Sequence, residues 1–422
     1  MKQPQRNCPY VLRVCLLLTT LLSFVYCNKN GTPYKSVSFY SEALFNVNNK
    51  AASNRIKKIT TNPDTHKELF KVVHISDSHI SSWSDGNYPE FPHNLLESVF
   101  FANQTELSIN AILSTGDNIS NSVETTKSEA IHYHESFIEA LFLKNKIPTA
   151  FCMGNHDSNI FEKADSASFL SKSELHKLYF SANIQGMHVQ TDENYYYKDI
   201  PNPAGGFIRV IALDCTDQET FKYNALQVSL ISQKQADWLC EVALKKDMSP
   251  QHHVIVLCHY PLDKYSSDKR TFMNSGSFQY GYKVVPEIIE AFRKKETFQH
   301  TYNSTLDNDT LTVSADFRTA SGEFVCYLGG HVHTTGLFEI KDLCNQSSTL
   351  KKQLMLLVST QVPALENSSY SQLNRMANTK NSNNFNIYAI DTEAGIIHST
   401  YFGANPPSYH TNRADFEKIR YR

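Results

Sequence analysis

Phe70-Lys-Val-Val-His-Ile-Ser-Asp-Ser-His79 decides how this chain folds. Its first six residues are a β-branched, largely apolar run that breaks into polar residues, as a buried strand does where it ends. In extended backbone, residues two apart face the same way. Asp77 and His79 can therefore converge on one ion just past the strand.

The pattern repeats downstream. Pro92 to Leu107 carries Leu95, Leu96, Val99 and Phe100 at helical spacing, and Asn110-Ala-Ile-Leu113 reads as a second buried strand ending at Gly116. Glu124 to Leu143 reads as a long amphipathic helix, and Ile147-Pro-Thr-Ala-Phe-Cys152 as a third strand. Strand, helix, strand, helix, strand in this order argues for right-handed crossovers and a partly parallel sheet. Further strands are predicted at Phe207 to Leu213, His253 to Leu257 and Phe324 to Leu328, with helices at Ser232 to Leu244 and Pro286 to Arg293. From Leu354 the runs Met355–Val358, Asn386–Ile390 and Ile396–Tyr401 read as strands, and Leu373 to Asn386 as an Asn-rich loop. The expected organisation is a signal peptide over residues 1–27 and a polar lead-in or linker over 28–65. A main domain over 66–350 follows, with C-terminal strands over 351–422 that complete the second sheet or form a small appendage.

Composition narrows the class. The 422 residues are 41% hydrophobic, ordinary for a globular protein, and the formal charge of -2 offers no basic surface for non-specific nucleic-acid binding. Lys2, Arg6 and Arg13 precede an apolar run from Val14 to Val25, shorter than the ~20 residues of a membrane-spanning helix. This is the pattern of an export signal, cleaved near Cys27. A lipoprotein anchored through Cys27 and an uncleaved anchor are the other readings. Cys152, Cys258 and Cys326 sit in apolar runs and read as buried thiols, whereas Cys215, Cys240 and Cys344 are free to pair in an oxidising compartment. Seven Asn-x-Ser/Thr triplets, at Asn30, Asn103, Asn118, Asn303, Asn308, Asn345 and Asn367, are about what chance yields in so Asn-rich a chain.

Five polar clusters fall at predicted strand ends, where open α/β sheets place their ligands. They are Ser76-Asp-Ser-His79, Thr115-Gly-Asp-Asn118, Gly154-Asn-His-Asp157, Cys258-His-Tyr-Pro261 and Gly329-Gly-His-Val-His333. Singly, most have a bland reading: a surface acid, a turn residue after glycine, a satisfied histidine. His331 and His333, two apart after a Gly-Gly turn, favour a metal site already. Together the clusters supply the oxygen and imidazole donors that a pair of ions requires. His132 and His134 lie roughly 200° apart on a predicted helix and cannot share an ion. His252 and His253 read as half-exposed at a strand start, and Tyr195, Tyr196 and Tyr197 as strand packing.

The blocks Asp-x-His, Gly-Asp, Gly-Asn-His-Asp, a lone His and Gly-His-x-His resemble the calcineurin-like metallophosphoesterases from about Val72 to His333. The resemblance implies an α/β fold, a four-layer α/β/β/α sandwich of two mixed β-sheets flanked by helices. It implies one metal at Asp77, His79 and His333, a second at Asn155, His259 and His331, and Asp117 bridging them. His156 resembles the family's catalytic histidine, with Asp157 orienting it. Three residues after the Gly-Asp pair stands Ser120, where purple acid phosphatases place a metal-ligating tyrosine, so their colour is not expected.

The expected function is hydrolysis of phosphate esters by an exported enzyme with two divalent or trivalent ions (Mn, Fe or Zn). Water between the ions attacks phosphorus in line and His156 serves the leaving group. Diesters are favoured over monoesters, and small molecules, lipid head groups or polymers are the substrates in view. No specific nucleic-acid binding is expected, and a membrane enters only through lipidation or an uncleaved anchor. A catalytically silent binding module on the same fold is the rival reading. Nothing in Lys264 to Thr312, a polar segment interrupting the motif series, names a substrate.

Overall fold

The Phe70–Ile75 run forms β1, and all six of its residues are buried. A strand flanked on both edges and covered on both faces needs such a near-continuous apolar sequence. The computed structural model describes residues 42–80, 93–122, 124–160, 166–181, 186–217, 228–262, 266–267, 270–271, 279–280, 283–331, 333, 335–339, 354–357, 379, 381–404 and 417–422.

On one side of β1 lie β2 (Ala111–Ser114) and β3 (Thr149–Phe151), all three parallel. The connections run through α2 (His93–Ala102) and α3 (Lys127–Ile138). On the other side β15 (Asn384–Asp391) pairs antiparallel with β1, Phe70 opposite Ile390 and His74 opposite Asn386. β16 (Ile396–Gly403) and β17 (Glu417–Arg420) complete a six-stranded sheet ordered β17-β16-β15-β1-β2-β3.

A seven-stranded sheet is built from β4 (Met187–Val189), β5 (Tyr196–Pro201), β6 (Phe207–Ala212) and β7 (His252–Leu257), with β12 (Glu323–Gly329), β13 (Gly336–Glu339) and β14 (Leu354–Leu357). Its order is β13-β14-β12-β7-β6-β5-β4. The four central strands β14, β12, β7 and β6 are parallel, and both edges are antiparallel. Residue alternation divides its two faces. Ile208, Ile255 and Val325 join Val73, Ile112 and Ala150 of the first sheet in one hydrophobic cluster. Ile211, Val254 and Val256 pack instead with Ala236, Ile288 and Phe292, from α5 (Gln233–Trp238) and α6 (Val284–Lys294). The result is an α/β sandwich of mixed sheets flanked by helices.

Local signals set the helix starts. Thr126 accepts from Glu129 N while the Glu129 carboxylate accepts from Thr126 N, and Ser171 and Glu174 do the same at α4 (Lys172–Phe180). Each reciprocal pair satisfies N–H groups that the first turn cannot, and a cap of this kind contributes about 1 kcal/mol.

Several expectations change. The C-terminal strands are no appendage, and β15–β17 extend the sheet of β1, while β14 alone of them joins the other. Apolar runs show that a strand exists but not which edge it will meet. Inside the polar 28–65 stretch, α1 (Glu42–Ile56) is a helix that buries Ala52 and Ile56. Arg55 secures it to β16 by donating to Thr400 Oγ1 at 2.8 Å and to Tyr401 O at 2.6 Å. The polar 264–312 segment contains the two-residue strands β8 (Ser266–Ser267) and β9 (Arg270–Thr271), and also β10 (Thr297–Asn303) and the start of β11 (Thr310–Asp316), which pair as a hairpin. Only Leu311, Val313 and Ala315 of β11 turn inward, too sparse a pattern among Thr and Ser to stand out. His252 and His253 are buried rather than half-exposed. His252 accepts from Ser249 N, and His253 lies 3.5 Å from Glu323. Cys215 and Cys240, expected to be free to pair, are buried free thiols like Cys152, Cys258 and Cys326, while Cys344 lies outside the described residues. The leader, residues 1–27, also lies outside them, and among the described residues no helix is long and apolar enough to cross a membrane.

Candidate metal centre

Because β1, β2 and β3 are parallel in one sheet, and β7 and β12 in the other, each set of strands ends together. The loops leaving these ends carry all five polar clusters. Asp77 N donates to Gly116 O at 2.9 Å and His79 N to Asp117 O at 3.0 Å, so the first two loops continue side by side beyond their strands. Gly330 N donates to His259 O at 3.0 Å and joins the loops of the second sheet in the same way.

The backbone there is strained. Asp77, His79, Asp117, His331 and His333 all have positive φ, between 46° and 68°. L-residues adopt this left-handed conformation at a cost of about 1–3 kcal/mol each, and such strain gathers at functional sites. Two glycines permit the close approach. A Cβ on Gly154 would lie 2.1 Å from Asp117 N, and one on Gly330 would lie 1.8 Å from Ser76 Oγ and 2.5 Å from Asp77 Oδ2.

The side chains form two groups that share Asp117. Ligand atoms of Asp77, His79, Asp117 and His333 lie within 4.8 Å of one another, as do those of Asp117, His259 and His331. In the first group His79 Nε2 and His333 Nε2 are 3.0 Å apart, and His333 Nε2 is 3.3 Å from Asp77 Oδ1. In the second, His259 Nε2 is 3.0 Å from Asp117 Oδ2. Asn155 joins the second group, its Oδ1 2.9 Å from His331 Nδ1. Asp77, Asp117, Asn155 and His259 are almost fully buried.

The electrostatics suit a cation. Burial holds the imidazoles of His79 and His331 down to about 3, neutral and with lone pairs to give. Burial opposes the charge on Asp77, but the hydrogen bond and attraction from His333 hold its carboxyl below the usual range. Asp117 is held well below that range, since His259, His156 and His79 outweigh its burial. Burial lowers His259 as well, yet the Asp117 carboxylate overrides this and carries it up to about 10. The pocket thus demands positive charge, which a metal ion supplies as well as a proton does. His259 Nδ1 donates to Thr115 O at 2.8 Å, which turns the buried Nε2 towards Asp117 Oδ2, 3.0 Å away. A ring fixed in this way presents a lone pair to a metal. The donor set of imidazoles, carboxylates and one amide fits first-row transition metals.

His156 sits at the rim, its side chain 26% exposed, with Nε2 3.8 Å from Asp117 Oδ2. Its Nδ1 lies 2.5 Å from Asn121 Oδ1. Asp157, expected to orient His156, points elsewhere. Its Oδ1 accepts from Asn118 N at 2.8 Å and Ile119 N at 3.1 Å. Its Oδ2 accepts from Gly154 N at 2.6 Å and Asn118 Nδ2 at 3.1 Å. Burial and the Asp117 charge push this carboxyl upward. Four N–H donors, two on each oxygen, favour the anion against them. Asp157 therefore clamps the loop after β2 to the loop after β3.

Sequence reasoning assigned no role to Thr115, Asn118 or Asn121. Thr115 and Asn118 stood inside a recognised cluster, but a carbonyl acceptor and a neutral amide carry no signal of their own. Asn121 lay outside every cluster. His134 is buried, its Nε2 2.8 Å from Asp157 O and its Nδ1 2.7 Å from Tyr179 OH, so it braces the clamp. His132 is exposed beside Glu135. Ser120, which replaces the tyrosine of purple acid phosphatases, donates its backbone N–H to Ile80 O at 2.8 Å.

A family model described as calcineurin-like phosphoesterase matches residues 70–335, more than half of the chain. No curated protein matches it.

Proposed function

We propose, from the premise that this chain belongs to the calcineurin-like phosphoesterase family, that it is an exported, dinuclear hydrolase of phosphate diesters. Family membership and the Asp and His cluster make it a metal-dependent phosphoester hydrolase. The observation that carries the finer reading is the sharing of Asp117 between two sets of ligand atoms.

When bound at Asp77, His79 and His333 and at Asn155, His259 and His331, with Asp117 between, Mn, Fe or Zn ions would supply charge that activates water and neutralises phosphate oxygens. The chain's own residues do the rest. The Asp157 clamp keeps Asp117 and Asn155 in register, as Asn118 and Gly154 are tied to one carboxylate. Thr115 O holds the tautomer of His259. His156 presents Nε2 to the centre from a partly open position, where it can give a proton to a leaving oxygen.

Diesters suit this site better than monoesters. Among the described residues, the strongest charges acting on Asp77, His79, Asp117 and His259 come from one another and from neighbouring histidines, with no lysine or arginine. Among the described residues, a dianionic monoester would find no lysine or arginine among these charges, whereas a monoanionic diester asks for less neutralisation. The apolar leader with its preceding basic residues supports export and hence extracellular substrates.

The test is turnover of bis-(p-nitrophenyl) phosphate and of p-nitrophenyl phosphate by purified chain, metal-stripped and then reloaded with Mn, Fe or Zn. Metal-dependent turnover with the diester ahead supports the proposal. A faster monoester overturns the diester reading, and silence with every metal leaves a binding module.

A further inference from the structure

We propose that Asn121 is the residue that positions His156 for proton transfer, an inference that rests on the hydrolytic reading above. The geometry is specific. Asn121 is 6% exposed, and its Nδ2 donates to Ile160 O at 2.6 Å. That bond fixes which way the amide faces, so Oδ1 is the atom turned to the His156 ring, 2.5 Å from Nδ1. An amide oxygen only accepts, so Nδ1 must carry the proton. The Nδ1–H bond leaves Nε2 as the nitrogen that gains and loses a proton, on the side of Asp117. With Nε2 first protonated from solvent, the oxygen of the attacking water bonds to phosphorus as the ester P–O bond breaks. The leaving oxygen takes the P–O pair and the Nε2 proton, and the N–H bonding pair stays on Nε2. Nδ1 keeps its own proton throughout, held by Asn121.

The residue two places on the other side of His156, Ser158, and the neighbouring Asp157 make no such contact. Asp157 has both oxygens occupied by loop N–H groups. His79 faces His156 edge-on, ring centroids 4.9 Å apart, and offers packing without a directional acceptor for Nδ1. Asn121 thus supplies the acceptor for Nδ1 without adding negative charge beside Asp117.

The test compares Asn121→Ala and Asn121→Asp with the wild type, all loaded with metal, on two aryl methyl phosphates. One releases p-nitrophenolate, which needs little protonation, and the other phenolate, which needs more. Asn121→Ala should lower kcat for the phenolate ester on the order of 30-fold and for the nitrophenolate ester under about threefold, with KM unchanged. Asn121→Asp keeps an acceptor and should recover the phenolate rate to within about threefold of wild type. Equal losses on both esters, or no recovery in Asn121→Asp, overturn the proposal. A readout independent of turnover accompanies this. In ring-15N-histidine protein, the His156 signal (assigned by its loss in His156→Asn) should show a hydrogen-bonded Nδ1–H that disappears in Asn121→Ala. A His156 ring protonated at Nε2 alone in the wild type overturns the proposal even if every ester is hydrolysed. If no ester is hydrolysed by the wild type, the hydrolytic reading fails, and the Nδ1 signal still decides the contact.

Discussion

Replacing Asp157 with alanine removes the acceptor of four N–H groups at once. Three are backbone donors, from Gly154, Asn118 and Ile119, and the fourth is the Asn118 amide. Asp157 is fully buried, so the donors are not simply handed to solvent. Leaving a buried donor unsatisfied costs about 1–3 kcal/mol. Water entering the vacated space would recover part of this, and the low end for each gives a loss of about 4 kcal/mol. Asp157→Asn keeps one oxygen for two donors but turns an NH2 towards the other two, for a loss of about 2 kcal/mol. The assay is urea unfolding of metal-free protein, which keeps metal binding from masking the change. With an m-value of about 4 kcal/mol/M for a chain of this size, Asp157→Ala should lower the midpoint by about 1 M. Unchanged midpoints together with a large loss of rate would refute the clamp. Asp157 would then act on His156 after all, as the motif alone suggests.

Other perturbations have equally defined outcomes. Gly330→Ala drives a methyl into Ser76 Oγ and Asp77 Oδ2. It should weaken metal uptake at least tenfold by isothermal titration while circular dichroism stays native, the local strain costing about 1–3 kcal/mol. His156→Ala should keep full metal content by elemental analysis and lose about 10²-fold in kcat. Metal loss from a folded His156→Ala protein would mean that the ring is a ligand. Glu97, buried beside Asn383, has its carboxyl pushed up by burial to about 7. Native Glu97 therefore keeps a proton that the unfolded chain releases, so stability falls as pH rises from about 4.5 to 7 and then levels, by about 3 kcal/mol in all. Glu97→Gln should abolish that slope in urea unfolding across the same range, and an unchanged slope would show that Glu97 does not cause it.

Much of the fold was legible because parallel, doubly covered strands are written as uninterrupted apolar runs. Phe70–Ile75 and His252–Leu257 are buried at every position. The half-covered β11 was not legible, since three inward residues among Thr and Ser barely rise above the background. Pairing was not legible either. Asn386–Ile390 announces a strand, but its place beside β1 depends on contacts some 300 residues apart in the chain. At the site, chemistry was visible wherever it needed a distinctive side chain, as in Asp77, His79, His331 and His333. The supporting shell was hidden because it works through ordinary groups: the Thr115 carbonyl, the Asn118 amide, the Asn121 oxygen. The motif Gly154-Asn-His-Asp157 suggested that sequence neighbours Asp157 and His156 act on each other. In the fold their side chains turn to different partners, as a tight turn allows.

The central claim is that two ions share Asp117. Its most direct test is to add Mn, Fe or Zn stepwise to metal-free protein, following bound metal per chain and hydrolysis of bis-(p-nitrophenyl) phosphate together. The account predicts uptake of two ions per chain, activity that appears with the second, and loss of both in Asp117→Ala. Saturation at one ion with full activity, or an Asp117→Ala protein that still binds two ions and turns over, would contradict it.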